Sequence, residues 1–98
     1  MKEWKYKLKK GKDLRKAINE EDYKCVLETL LSCYWEVLLY FQYKKIIDPE
    51  DFETEYNDYT ENIQQMLEDE EYDEDEINYE LSDFYDLCDN CEIWIPLI

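Results

Sequence analysis

The chain has 98 residues, 45% of them apolar, and sets 27 Asp and Glu against 11 Lys and Arg for a net charge of −16. That apolar share argues against a disordered coil, and one Gly with two Pro is too little punctuation for an all-β design, so helices should dominate a single domain over residues 1–98. With no His and no Gly-rich loop, the usual neutral-pH proton carrier and the phosphate cradle are both missing, and the chain does not read as an enzyme.

Residues 3–9 alternate, Trp4, Tyr6 and Leu8 on one side and Lys5, Lys7 and Lys9 on the other, which predicts a strand with one wet face. Gly11 is expected to supply a turn, and Asp13 to Asn19 a short helix carrying Leu14, Ala17 and Ile18. The stretch from Glu20 to Lys45 is the centre of the fold. Lys24, Glu28, Ser32 and Glu36 form one narrow polar stripe on it, and apolar residues cover the rest, so the other elements should wrap it.

Three segments share a helix-start grammar, an Asn or Asp with acids in the following turn between flanking apolar residues. They begin at Asn19, Asp48 and Asp73, each expected as an N-cap, with Pro49 at the first helical position in the middle case. The second helix, about Pro49 to Glu70, presents Phe52, Tyr56, Tyr59, Ile63, Met66 and Leu67 as one apolar seam. A third, about Glu74 to Asp89, does so with Ile77, Leu81, Phe84, Tyr85 and Cys88. The tail from Glu92 to Ile98 predicts a strand that pairs with the first one, at an edge because of Pro96. The expected fold is α+β, mainly α: three helices, four with the short one, around a buried central helix, and a two-stranded sheet made by the chain's ends.

Charge is the functional signal. Residues 1–45 sum to +4, whereas residues 46–98 hold twenty acids and no Lys or Arg, −20. Solubility needs only about 2 to 8 net charges in a small domain, and the surplus costs stability through self-repulsion. At a helical rise of about 1.5 Å per residue, the acids from Asp48 to Glu92 average one per ~3.4 Å, close to the phosphate spacing of one DNA strand. The candidate partner-binding residues are Glu68, Asp69, Glu70, Glu71, Asp73, Glu74, Asp75, Glu76, Glu80, Asp83 and Asp86. The expected partner is a basic nucleic-acid-binding protein, not nucleic acid itself, whose phosphates the net charge repels, even though the basic amino terminus carries Trp4 and Tyr6 among its lysines.

Other chemistries fit less well. As a calcium loop the acidic run fails at position six, which needs Gly and is Asn78 counting from Asp73 or Glu74 counting from Asp69, and position twelve is Phe84 in the first frame and Glu80 in the second, so neither metal nor other cofactor is expected. Cys88-Asp89-Asn90-Cys91 has thiol–disulfide spacing, but it falls at a predicted helix carboxyl end among acids, where thiolate is disfavoured, and all four cysteines are expected reduced. Glu28 and Glu36 interrupt the longest apolar stretch and no leader pattern precedes it, so no membrane partner and a cytoplasmic location are expected. The alternative to a charged interface is a non-enzymatic adaptor whose apolar surface, Trp94, Pro96, Leu97 and Ile98, serves a partner or a homodimer.

The segment Asn78-Tyr79-Glu80-Leu81-Ser82-Asp83-Phe84-Tyr85-Asp86-Leu87-Cys88-Asp89-Asn90, with Ile93-Trp94-Ile95-Pro96 after it, resembles the carboxyl end of small uncharacterised proteins of Gram-positive phages and mobile elements. Lys5-Tyr6-Lys7-Leu8 and Leu14-Arg15-Lys16-Ala17-Ile18 resemble their beginning, so the likeness covers about half of the chain and brings no catalytic motif with it. In size and acidity the chain is also similar to anti-restriction and anti-CRISPR DNA mimics. That likeness implies an inhibitor occupying the cationic DNA- or RNA-binding groove of a nuclease, restriction factor or CRISPR effector.

Overall fold

The computed structural model describes residues 4–95. Its elements run β1 (Tyr6–Lys7), α1 (Gly11–Asn19), α2 (Tyr23–Tyr43), a 3₁₀ turn (Pro49–Asp51), α3 (Phe52–Asp69), α4 (Glu74–Asn90) and β2 (Ile93–Trp94). This is the expected mainly helical α+β fold with four helices, and the two strands at the ends of the chain pair in parallel, Tyr6 with Ile93 and Lys7 with Trp94. The ladder extends one bond to each side, as Lys5 N–H donates to Glu92 O and Leu8 N–H to Trp94 O, both at 2.8 Å. Leu8 and Ile93 are fully buried beneath it, whereas Trp4, expected on the same side as Leu8, is 43% exposed. Among the described residues the strands are shorter than the alternation suggested, since the ladder there takes in only this stretch of each. Pro96 and the edge it was expected to mark lie outside the described residues.

The central helix is α2. Val26, Leu27, Leu30, Cys33, Tyr34, Val37, Leu38, Tyr40 and Phe41 are buried on it, and α1, α3 and α4 pack against it. Rings join the layers: Tyr34 stacks on Tyr59 of α3 at 5.7 Å between centroids and meets Phe84 of α4 edge-on at 4.8 Å. Trp35 likewise meets Phe52 and Tyr56 of α3 edge-on, at 4.7 and 5.2 Å. The wrapping is incomplete. Trp35 and Leu39 are each 48% exposed and Tyr43 80%, so the outer face of α2 carries an apolar strip beside its polar stripe.

The helix starts follow the sequence grammar in full at Asp73, in position but without the side-chain bond at Asp48, and not at Asn19. Asp73 caps α4, its Oδ1 accepting from Asp75 N–H at 2.9 Å and Glu76 N–H at 3.4 Å. Asp48 makes no side-chain cap; Pro49 opens a 3₁₀ turn, and α3 follows from Phe52. Asn19 is the last residue of α1, and the cap of α2 is Asp22, which accepts from Cys25 N–H at 3.2 Å. The acids after Asn19 suit either site, and the one whose backbone is extended takes the role. Gly11 is the first residue of α1 and is buried, so no left-handed turn is needed there.

Candidate functional site: an acidic cleft between two helices

Helices α3 and α4 carry no Lys or Arg, and each turns its apolar seam inward. On α3, Phe52, Ile63 and Met66 are buried, and so is Thr60, whose hydroxyl donates to Tyr56 O at 2.6 Å and accepts from Gln64 Nε2 at 2.7 Å. On α4 the buried set is Ile77, Leu81, Phe84 and Cys88, with Glu80 among them. The acids left outside therefore fall into rows set by the helical repeat.

Two clefts run between these helices. One, of about 330 Å³, is lined by Tyr34 of α2, by Asp58, Tyr59, Glu61 and Asn62 of α3, and by Tyr79, Glu80, Asp83 and Leu87 of α4. The next, of about 310 Å³, is lined by Asn62, Gln65, Met66 and Asp69 on one side and Glu71, Asp73 and Glu76 on the other. Asn62 belongs to both, so the clefts adjoin, with Asp58, Glu61 and Asp69 on one wall and Asp73, Glu76, Glu80 and Asp83 on the other. On α4 the acids recur at steps of three and four residues, a rise of roughly 5 Å per acid. The average of one acid per ~3.4 Å along the chain is thus divided among several faces and does not stand in a single line.

Of the eleven predicted partner-binding acids, Glu68, Asp69, Glu70, Glu71, Asp73, Glu74, Asp75, Glu76, Asp83 and Asp86 are exposed, on the ends of α3 and α4, their connection and the outer side of α4. Glu80 departs from that reading. It is only 6% exposed, and its Oε1 accepts from Asn62 Nδ2 at 3.2 Å. Burial raises its pKa above the ordinary carboxylate value; the Asn62 bond opposes this, and the nearby charges of Asp83 and Glu76 reinforce it. The signal was in the spacing, since Glu80 stands three residues after Ile77 and four before Phe84, in the seam itself. Asp58 and Glu61, which also line the cleft, are absent from the predicted set because only the side-by-side placement of the helices brings them opposite α4.

The alternative apolar surface is only partly in view. Trp94 is half-buried, with the Lys7 ammonium 4.7 Å from its ring centroid, while Pro96, Leu97 and Ile98 lie outside the described residues. The exposed Trp4 lines one cleft with Ile93, Trp94 and Ile95; among the described residues the other exposed large apolar side chains are Trp35, Leu39, Tyr43 and Ile46 on α2 and just after it, with Tyr59 on α3 and Tyr79 on α4.

The cysteines carry free thiols. Burial pushes Cys33 up to about 12, with Glu36 and Asp13 adding and Lys10 opposing, and it also raises Cys88 and Cys91. Such thiols are poor nucleophiles at neutral pH. Among the described residues no group of three or more Cys, Asp or Glu is placed to hold a metal ion, and no helix is long and apolar enough to cross a membrane.

No protein-family model matches the chain, and neither a curated protein nor a solved structure does.

Proposed function

We propose that the chain is a nucleic-acid decoy, an inhibitor that enters the cationic groove of a DNA- or RNA-binding defence protein and is held there by its carboxylates. The observation that carries this reading is the pair of acidic walls facing each other across the α3/α4 cleft, on helices without a single basic side chain. With one acid per roughly 5 Å on the α4 wall and one per roughly 8 Å on the α3 wall, the two rows together offer about one charge per 3 Å, near the 3.4 Å of a single strand. Acids anchored on helices are held at fixed intervals without the entropy cost of ordering a loose tail. A cationic groove gains the same release of counterions from such a surface as it gains from phosphates.

The test is competition. A protein captured on the immobilised chain is loaded with a fluorescent duplex, and displacement of the duplex by free chain is followed as salt is raised from about 50 to about 200 mM. The affinity should fall by about a hundredfold or more over that range, and substituting Glu68, Asp69, Glu71 and Glu76 with their amides should weaken it by about tenfold or more. Affinity indifferent to salt and to those four substitutions refutes the decoy.

A further inference from the structure

One carboxylate in this anionic chain is placed unlike the rest. Glu80 sits at the wall of the cleft, only 6% exposed, with one oxygen bonded to Asn62 and the other open to the cleft, since among the described residues no fully buried side-chain oxygen is left without a partner. Neither helix that forms the cleft supplies a countercharge. Burying a carboxylate without a cation is costly, and the cost is ordinarily avoided by pairing or by moving the acid to the surface. Nothing about the helical repeat prevents the latter, because Asn78, Tyr79 and Ser82 next to it are all exposed.

What surrounds Glu80 is equally specific. Tyr34 from the central helix, Tyr59 from α3 and Tyr79 from α4 line the same cavity of about 330 Å³, and Asp83 adds a second acid. Tyr34 and Tyr59 are stacked 17° from parallel, which braces the α3 side, while Tyr79 is 63% exposed. Aromatic rings combined with a desolvated acid are the chemistry of cation recognition: ring faces attract the charge, and the carboxylate accepts its protons. The cavity lies at the small end of ligand sites, suited to the head of one side chain.

We propose that this cleft is a socket for a single guanidinium group, an arginine side chain presented by the protein the chain binds. A guanidinium suits it better than an ammonium because it is planar, can lie along a ring, and offers a fork of N–H donors to the open oxygen of Glu80 and to Asp83. The fit rests on the cavity alone; only the identity of the arginine's bearer rests on the decoy reading. Acid-rich rows would then supply long-range attraction, and the socket would fix register.

The full chain is titrated with N-acetyl-arginine amide at constant ionic strength, and the Tyr ring and Asn side-chain amide resonances are followed by NMR. N-acetyl-citrulline amide, of the same shape without the charge, is the control. Arginine should give saturating shifts at Tyr34, Tyr59, Tyr79 and Asn62, and citrulline should bind at least about tenfold more weakly. Glu80→Gln, which keeps a partner for Asn62, should lower arginine affinity by about tenfold or more, and Tyr79→Ala, at an exposed position, by about threefold. Equal response to the two probes, unsaturated shifts spread over residues 68–76, or an unaltered affinity in Glu80→Gln overturns the socket. Loss of the socket with duplex displacement intact leaves the decoy standing, whereas arginine capture without displacement supports the socket and removes the decoy.

Discussion

Glu36 does the most work of any single side chain outside the core. It belongs to the polar stripe of α2, yet it is not merely solvated: Oε2 accepts from Tyr6 O–H and from Lys9 N–H, both at 2.7 Å, and Oε1 accepts from Lys10 N–H at 2.9 Å. One carboxylate thus ties the end of β1 and the start of α1 to the central helix, and satisfies backbone donors at a helix start whose own cap residue, Lys10, offers no acceptor. The Tyr6 hydroxyl is pushed up to about 12, by burial first and then by its bond to Glu36. Glu36→Ala should therefore cost about 2 to 4 kcal/mol in urea unfolding, since bonds to a charged acceptor are worth about 1.5 to 3 kcal/mol each but share one group. Glu36→Gln should cost less, because its amide oxygen can still accept. A Glu36→Ala variant as stable as the parent would show that this latch is incidental.

The four helices all stop in the same unusual way. Glu21, Lys45, Glu70 and Glu92 have φ of 55°, 60°, 55° and 59°, and each lies one or two residues past the end of its helix. Three of these stops are closed by a wide backbone bond, Asp22 N–H to Ala17 O, Ile46 N–H to Phe41 O and Glu71 N–H to Met66 O. This left-handed closure is usually made by Gly, which has no Cβ to strain; for other residues it costs roughly 1 to 2 kcal/mol. Replacing Glu21, Lys45 or Glu70 with Gly should accordingly raise stability, by about 0.5 to 1 kcal/mol apiece after the extra entropy of Gly in the unfolded chain is subtracted. Urea midpoints that fall on all three substitutions would contradict the strain account. At the other helix ends, Asp22→Ala and Asp73→Ala should each cost about 1 kcal/mol, and Asn19→Ala, with no cap to lose, well under half of that.

The bodies of α2, α3 and α4 were legible in the sequence because a seam needs only the helical period, and the acid-rich run was legible because it is contiguous. The helix ends were legible to within two residues, read at Asn19, Lys45, Glu70 and Asp89 and found at Asn19, Tyr43, Asp69 and Asn90, but the left-handed closures beyond them were not, since a chain with one Gly makes them with Glu and Lys, residues that favour helix continuation as readily as a stop. Thr60 and Glu80 were missed as buried residues for a related reason, being polar side chains in seam positions. The cleft itself has no local signature: Asp58 and Asp83 meet across it only through the placement of α3 and α4 against α2.

At the scale of the whole molecule, charge and shape act together. The Cα extents are 35 × 34 × 18 Å, a slab thin enough that a net charge of −16 is crowded onto a small surface. Self-repulsion of that kind is relieved by salt, because screening shortens from roughly 30 Å at 0.01 M to roughly 8 Å at physiological ionic strength. Glu80 adds a pH term of definite sign. Its pKa in the fold lies above the ordinary 4.5, through burial and the charges of Asp83 and Glu76, so the folded chain binds this proton more tightly than the unfolded one. The resulting stabilisation is complete below 4.5 and is lost as pH rises through the elevated folded value. Mild acidification from pH 7 toward about 5 should therefore strengthen the fold, opposite to the acid lability of proteins held by depressed carboxylates. Glu80→Gln should be the more stable protein at pH 7, and its rise on acidification should be shallower, while added salt should stabilise both to a similar extent because it acts on the remaining charges. Urea midpoints at two pH values and two salt concentrations separate the contributions. A parent chain weaker at pH 5 than at pH 7, or a Glu80→Gln variant that is weaker at pH 7, would mean that the buried acid is an asset to the fold and not a stability cost retained for binding.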